Sequence, residues 1–211
     1  MRKAIICDFG GVLTTPLGNS FAAWSRGSGI PLEDLGAAMA SATERHGEHP
    51  LFMLEKGLID QDEFTRRMEL ELGDGRRLDT MGDVIFRYLE RDAEMIGYMR
   101  ELRDRGLRTA LLTNNVREWE PLWRVKLPDI DELFEVIVDS AFVGMRKPEP
   151  EIYGLTLERL GGGLEASDCV FVDDLEVNCE AAAALGMHAV RFVDSEQAIA
   201  AIEAAVRSGD G

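Results

Sequence analysis

Five short apolar runs recur along the 211-residue chain, and they constrain its fold more than any other feature. They are Ala4-Ile5-Ile6-Cys7, Thr109-Ala110-Leu111-Leu112, Val136-Ile137-Val138, Cys169-Val170-Phe171-Val172 and Ala189-Val190-Arg191-Phe192. Most are near-continuous in apolar character instead of alternating, the pattern of strands covered on both faces by helices. Helical patterns lie between them. Met95, Met99 and Leu102 mark one face of a helix near 92–105 that ends at Gly106. Another starts near Pro150 and runs through Ile152, Leu155 and Leu160 to Gly161-Gly162-Gly163.

Strand–helix alternation over residues 1–14 and 91–211 predicts an α/β core with a doubly wound, Rossmann-like parallel sheet. Residues 15–90 have a different texture. Phe64, Met68 and Leu72, then Val84, Ile85 and Tyr88, recur at helical spacing, and no convincing strand interrupts them. Asp60-Gln61-Asp62-Glu63 reads as a capping box opening the Phe64 helix. The expected architecture is an all-helical cap inserted after the first strand and lying over the sheet's carboxyl edge, where such folds bind ligands.

Charge narrows the partners. Lys and Arg number 23 and Asp and Glu 39, so 23 − 39 gives a net charge of −16. A field of that sign repels phosphodiester backbones and anionic bilayers, which argues against nucleic acid and membrane partners. No apolar run approaches the roughly 20 residues of a membrane span. Met1-Arg2-Lys3 is followed by too few apolar residues before Asp8 for a signal peptide. Cys7, Cys169 and Cys179 are odd in number and widely spaced, as buried reduced thiols would be, so a cytoplasmic location is expected. The oligomeric state is left open.

Chemistry-bearing residues gather at the carboxyl ends of the predicted strands. Asp8 follows the first and precedes Phe9-Gly10-Gly11-Val12-Leu13-Thr14, either as a functional carboxylate or as a turn residue capping the next element. Thr113-Asn114-Asn115 ends the second long strand; its hydroxyl and amides could bind an oxyanion or cap a helix starting near Arg117. Asp173-Asp174 ends the fourth, and two adjacent carboxylates suit Mg²⁺, which takes hard oxygen ligands. Lys147, within Gly144-Met145-Arg146-Lys147-Pro148, precedes a helix N-terminus, where backbone dipole and ammonium together favour an anion.

In this order and spacing, the four segments resemble the motifs of the haloacid dehalogenase superfamily of hydrolases, over essentially the whole chain. The segment from Glu55 through Phe64 resembles members with a helical cap after the first strand. The Asp8-to-Gly11 start and the Gly144-to-Glu149 stretch resemble the branch holding the N-terminal phosphatase part of soluble epoxide hydrolase and sugar-1-phosphate phosphatases. The resemblance implies an Mg²⁺-dependent phosphatase for a small phosphorylated metabolite, working through an aspartyl-phosphate on Asp8. It implies that Asp8, the carbonyl of Gly10, and Asp173 or Asp174 hold the metal. Thr113 and Lys147 would then bind phosphoryl oxygens, and Asn114 would help orient them.

One position departs from the pattern. Phosphatases of the family usually carry a second aspartate two residues after the nucleophile, acting as general acid and base; this chain has Gly10. Three outcomes follow: preference for leaving groups that need less protonation, such as anomeric sugar phosphates; a proton donor in the cap, from Glu44, His46, Glu48 or His49; or ligand binding with little turnover. The alternatives to a phosphatase are thus a phospho-ligand-binding regulatory protein and a metal-independent dehalogenase, the latter disfavoured by Asp173-Asp174. His46 and His49, flanked by Gly47 and Pro50, read as a solvated loop. Trp119 and Trp123, four apart, read as the inner face of one helix or a stacking platform for a sugar, and Arg146 as a surface arginine or a phosphate contact.

Overall fold

The apolar runs assemble into one parallel sheet in the order β3-β2-β1-β4-β5, in a computed structural model that describes residues 2–78 and 81–207. Its strands are β1 (Ala4–Cys7), β2 (Arg108–Thr113), β3 (Val136–Asp139), β4 (Cys169–Asp173) and β5 (His188–Arg191). Successive side chains of a strand point to opposite faces, and here both faces are covered. Ile5 and Cys7 pack into one core with Leu111, Val170 and Val172; Ala4 and Ile6 enter the other with Ala110, Leu112 and Phe171. That double burial is why the central runs read as continuously apolar, and each such Ile or Leu contributes roughly 1.5–3 kcal/mol by leaving water. The run at 189–192 behaves differently. β5 pairs only with β4, lies at the sheet edge and exposes His188 and Arg191.

Between β1 and β2 lie α1 (Leu17–Ser28), α2 (Leu32–His46), α3 (Pro50–Glu55), α4 (Gln61–Leu72), α5 (Met81–Tyr88) and α6 (Ala93–Asp104). The first five leave and rejoin the core at one place. Thr14 and Arg91 form an isolated antiparallel bridge, Thr15 N donates to Glu90 O at 2.8 Å, and Asp92 N donates to Leu13 O at 2.9 Å. Phe64, Met68 and Leu72 are buried, as their spacing predicts. Asp60 Oδ1 accepts from Glu63 N, but the Glu63 carboxylate is taken by Arg66 and Arg67, so only half of the capping box forms. In α5, Phe86 turns inward with Met81 and Ile85, leaving Tyr88 55% exposed.

The remaining helices are α7 (Glu120–Lys126), α8 (Ile130–Leu133), α9 (Ser140–Val143), α10 (Pro150–Leu160), α11 (Glu176–Ala184) and α12 (Ser195–Arg207). Asp92 starts α6 by accepting from Met95 N at 2.8 Å and ties it to α12 through Ser195 Oγ at 2.7 Å. Cys7, Cys169 and Cys179 are buried, and burial pushes all three thiols up in pKa. Among the described residues no helix is long and apolar enough to cross a membrane.

Candidate active site

Because all five strands are parallel, their carboxyl ends share one edge, and the motif residues meet there. Asp8 continues the ladder past β1, its N–H donating to Val172 O at 2.9 Å, while Thr113 and Asp173 end β2 and β4. Lys147 reaches this edge from the loop before α10. Its ammonium, only 1% exposed, lies 2.8 Å from Asp8 Oδ1 and 2.6 Å from Asp173 Oδ2. The loop is held by Asn114, whose Nδ2 donates to Lys147 O at 2.9 Å and whose Oδ1 accepts from Lys147 N at 2.8 Å. Each polar end of that amide thus makes one bond to the Lys147 backbone. These two bonds fix the backbone that carries the lysine, and Asn114 also lines the cavity described below.

The two adjacent aspartates have different surroundings. Asp173 is fully buried, and its oxygens accept from Lys147 Nζ, Leu175 N and Asn178 Nδ2. Asp174 is half-buried and its carboxylate lies over Gly11, where a Cβ would overlap its oxygens; Gly11 also has a φ of +82°, so glycine is required there twice over. One oxygen each of Asp8, Asp173 and Asp174 can lie within 4.8 Å of the others.

Three carboxylates against one ammonium make 3 − 1, a net charge of −2 when all are ionised. Burial pushes the Asp8 carboxyl up to about 7; Lys147 opposes the rise and Asp173 adds to it. Asp174 is raised by burial and then by the charge of Asp173. Burial works against the Lys147 ammonium, but Asp8 and Asp173 together hold it above its ordinary value. A hard divalent cation suits this cluster: the donors are carboxylate oxygens, they converge, and they carry more negative charge than Lys147 offsets. Beside it, Asp139 pairs in register with Thr113 and accepts from Ala141 N at 3.0 Å. Among the described residues its Oδ2 meets no close hydrogen-bond partner, and burial pushes this carboxyl up to about 6, with Trp123 opposing the rise.

A cavity of about 350 Å³ opens over Asp8, Gly10, Thr113, Lys147 and Asp174. Of the proton donors expected in the helical segment, Glu44 and His46 are exposed, Glu48 pairs with Lys56 at 3.5 Å, and His49 stacks on Phe52. None lines the cavity; from the inserted helices Glu55 does, bound to Arg146 at 2.7 Å and raised in pKa by burial. Arg146 is largely buried, lies over the Phe52 ring and lines the cavity beside Glu55. Sequence reasoning passed over Glu55 because an acid in an amphipathic helix carries no local sign of burial. The tryptophans lie in different elements. Trp123 is buried against Phe9, while Trp119 ends a short 3₁₀ turn, donates Nε1 to Gln61 Oε1 at 2.6 Å and lines the cavity.

A model of the haloacid dehalogenase-like hydrolases matches residues 2–186. The chain belongs to that family. Within the haloacid dehalogenase-like hydrolases, it is 30% identical over 203 residues to the sesquiterpene phosphatase astK of Aspergillus oryzae, covering 92% of this chain and 91% of the fungal one. It is 29% identical over 211 residues to mouse (Mus musculus) acyl-CoA dehydrogenase family member 10, covering 96% of this chain but only 19% of that protein's length. In fold it is similar to a predicted family hydrolase from Porphyromonas gingivalis, with a TM-score of 0.75, 22% identity and 98% of each chain covered. A family enzyme from Bacteroides thetaiotaomicron, solved in complex with magnesium and inorganic phosphate, aligns with a TM-score of 0.68 and 23% identity, covering 90% of this chain and 94% of that one. The α/β core expected from the sequence is the fold of this family, and the chain is a hydrolase.

Proposed function

We propose that the chain is an Mg²⁺-dependent phosphomonoesterase acting on a small phosphorylated compound through Asp8. The observation that carries this reading is the buried convergence of Asp8, Lys147 and Asp173 beside Asp174, beneath one cavity. Relatives named as phosphatases, including the fungal enzyme and glyceraldehyde 3-phosphate phosphatases, support it. The helices of residues 15–90 then act as the cap that closes the cavity.

In this reading an Asp8 carboxylate oxygen attacks phosphorus in line as the ester P–O bond breaks, and the leaving oxygen keeps the electron pair. Water then attacks the aspartyl-phosphate, releasing inorganic phosphate and restoring Asp8. Lys147 keeps the nucleophile ionised and meets the phosphoryl charge, and Thr113 binds a phosphoryl oxygen. The metal would be held by Asp8, the Gly10 carbonyl and Asp174, since the oxygens of Asp173 already accept from three partners. When bound, Mg²⁺ shields negative charge on nucleophile and phosphoryl group alike.

The test is phosphate release from a panel of phosphate esters, with Mg²⁺ and with chelator, for the wild type and Asp8→Asn. Release that requires both Mg²⁺ and Asp8 supports the reading. Undiminished release by Asp8→Asn removes Asp8 from the mechanism. Phosphate-ester binding without release favours the low-turnover binding protein suggested by Gly10.

A further inference from the structure

The walls of the cavity differ in character from its floor. Above the carboxylate–lysine cluster they are built from carbon: Leu17, Phe21, Met39, Leu54, Phe64 and Phe86 line it from five inserted helices. The polar side chains in the same walls are largely engaged with one another. Glu55 is paired with Arg146, whose guanidinium lies over Phe52, and Trp119 gives its N–H to Gln61. The amide of Asn114 bonds to the Lys147 backbone and Asn115 Oδ1 accepts from Val116 N. A hydroxyl-rich ring placed above Asp8 would meet mostly hydrocarbon and polar groups largely engaged elsewhere, and most of its hydroxyls would surrender water without replacement.

We infer that the substrate is a phosphate ester of an apolar alcohol, its aliphatic or aromatic part filling the space among Leu17, Phe21 and Phe86. This rests on the phosphomonoesterase reading and specifies its substrate class. It turns the expectation of an anomeric sugar phosphate toward a hydrophobic one. At about 30 Å³ per non-hydrogen atom, 350 Å³ holds roughly a dozen such atoms, a phosphoryl group and a chain of about eight carbons. A longer chain would have to extend beyond this volume, and α1, α2, α3, α4 and α5 supply the apolar side chains around it.

The matched pair of probes is octyl phosphate and glucose 6-phosphate. Both are esters of primary alcohols with similar leaving groups, so chemistry at phosphorus is held constant while the hydroxyls differ. A hydrophobic pocket rejects one added hydroxyl by about 10²-fold, so kcat/KM should favour octyl phosphate by at least ~10²-fold. Leu17→Asn and Phe21→Asn, tested separately in case either fails to fold, should each shrink that ratio at least ~10-fold, chiefly through the KM for octyl phosphate. Equal or better hydrolysis of glucose 6-phosphate would overturn the substrate class and leave the phosphatase reading standing. No release from either probe or from 1-naphthyl phosphate would overturn the phosphatase reading. In that event binding decides the apolar inference: with Mg²⁺ present, octylphosphonate should bind at least ~10-fold tighter than methylphosphonate by calorimetry, and equal affinities would refute it.

Discussion

Restoring a carboxylate at Gly10 probes the departure that most shapes the proposed chemistry. A Cβ there would stand 3.0 Å from Leu17 Cδ1 and 3.4 Å from its Cγ, and its three nearest neighbours are all side-chain atoms of Leu17. The Gly10 backbone is not in the left-handed region, so Gly10→Asp carries no conformational penalty of that kind. Leu17 is 37% exposed and can yield, at about 1 kcal/mol for an altered rotamer, which lowers Tm by roughly 2–4 °C in a protein of this size. Against that small loss stands the gain from a general acid, commonly ~10²–10⁴ in rate. The gain should be largest where the leaving alcohol is most basic. Gly10→Asp should therefore raise kcat on octyl phosphate by at least ~10²-fold while changing 1-naphthyl phosphate far less, flattening the dependence on leaving-group pKa. Phosphate release across such a series measures this, with Mg²⁺ affinity followed by calorimetry. Gly10→Asp/Leu17→Ala removes the contact and controls for crowding. If neither variant gains on the alkyl ester while Mg²⁺ still binds, proton donation does not limit the rate and the argument from Gly10 is wrong.

Further perturbations test other parts of the site. Lys147→Met leaves Asp8 and Asp173 buried without their cation; chemical denaturation should show a loss of about 3–5 kcal/mol without metal, partly recovered in Mg²⁺. Gly11→Ala drives a methyl group into the Asp174 carboxylate from a φ of +82°, and should weaken Mg²⁺ binding measured by calorimetry at least ~10-fold; unchanged affinity would remove Asp174 as a ligand. Asp139 is raised from 3.8 to about 6 by burial, so the folded state holds a proton that the unfolded state has released between those pH values. Its contribution to stability is present below about pH 4 and lost as pH rises through 6, by about 3 kcal/mol in all. Asp139→Asn keeps the acceptor for Ala141 N and should abolish that part of the pH dependence; urea unfolding at pH 4.5 and 7 with the same slope as wild type would show that Asp139 ionises normally.

The architecture was legible because its signals are local. Continuous apolar runs report strands buried on both faces, Phe64, Met68 and Leu72 report one buried helix face, and Asp60 reports a helix start. The fifth run is a strand as expected, but its place at the sheet edge, with His188 and Arg191 exposed, was not legible, nor was the face of α5, where Phe86 took the inward place of Tyr88. The strand-end residues Asp8, Thr113 and Asp173 were legible for a topological reason: in a parallel sheet every carboxyl end arrives at the same edge.

What the sequence by itself determined was thus the α/β class, the chemical types gathered at one edge and the missing carboxylate at Gly10. Only the tertiary structure decided how those groups divide their work. It placed Lys147 between Asp8 and Asp173, bound the Asn114 amide to the Lys147 backbone and left Asp174 as the less engaged of the paired acids. It also put Glu55, and none of Glu44, His46, Glu48 and His49, in the cavity lining and walled the site largely with hydrocarbon. The physical reason is range. Strand and helix patterns are written in neighbours a few residues apart, whereas a buried ion pair or a cavity wall depends on how segments distant in sequence pack together.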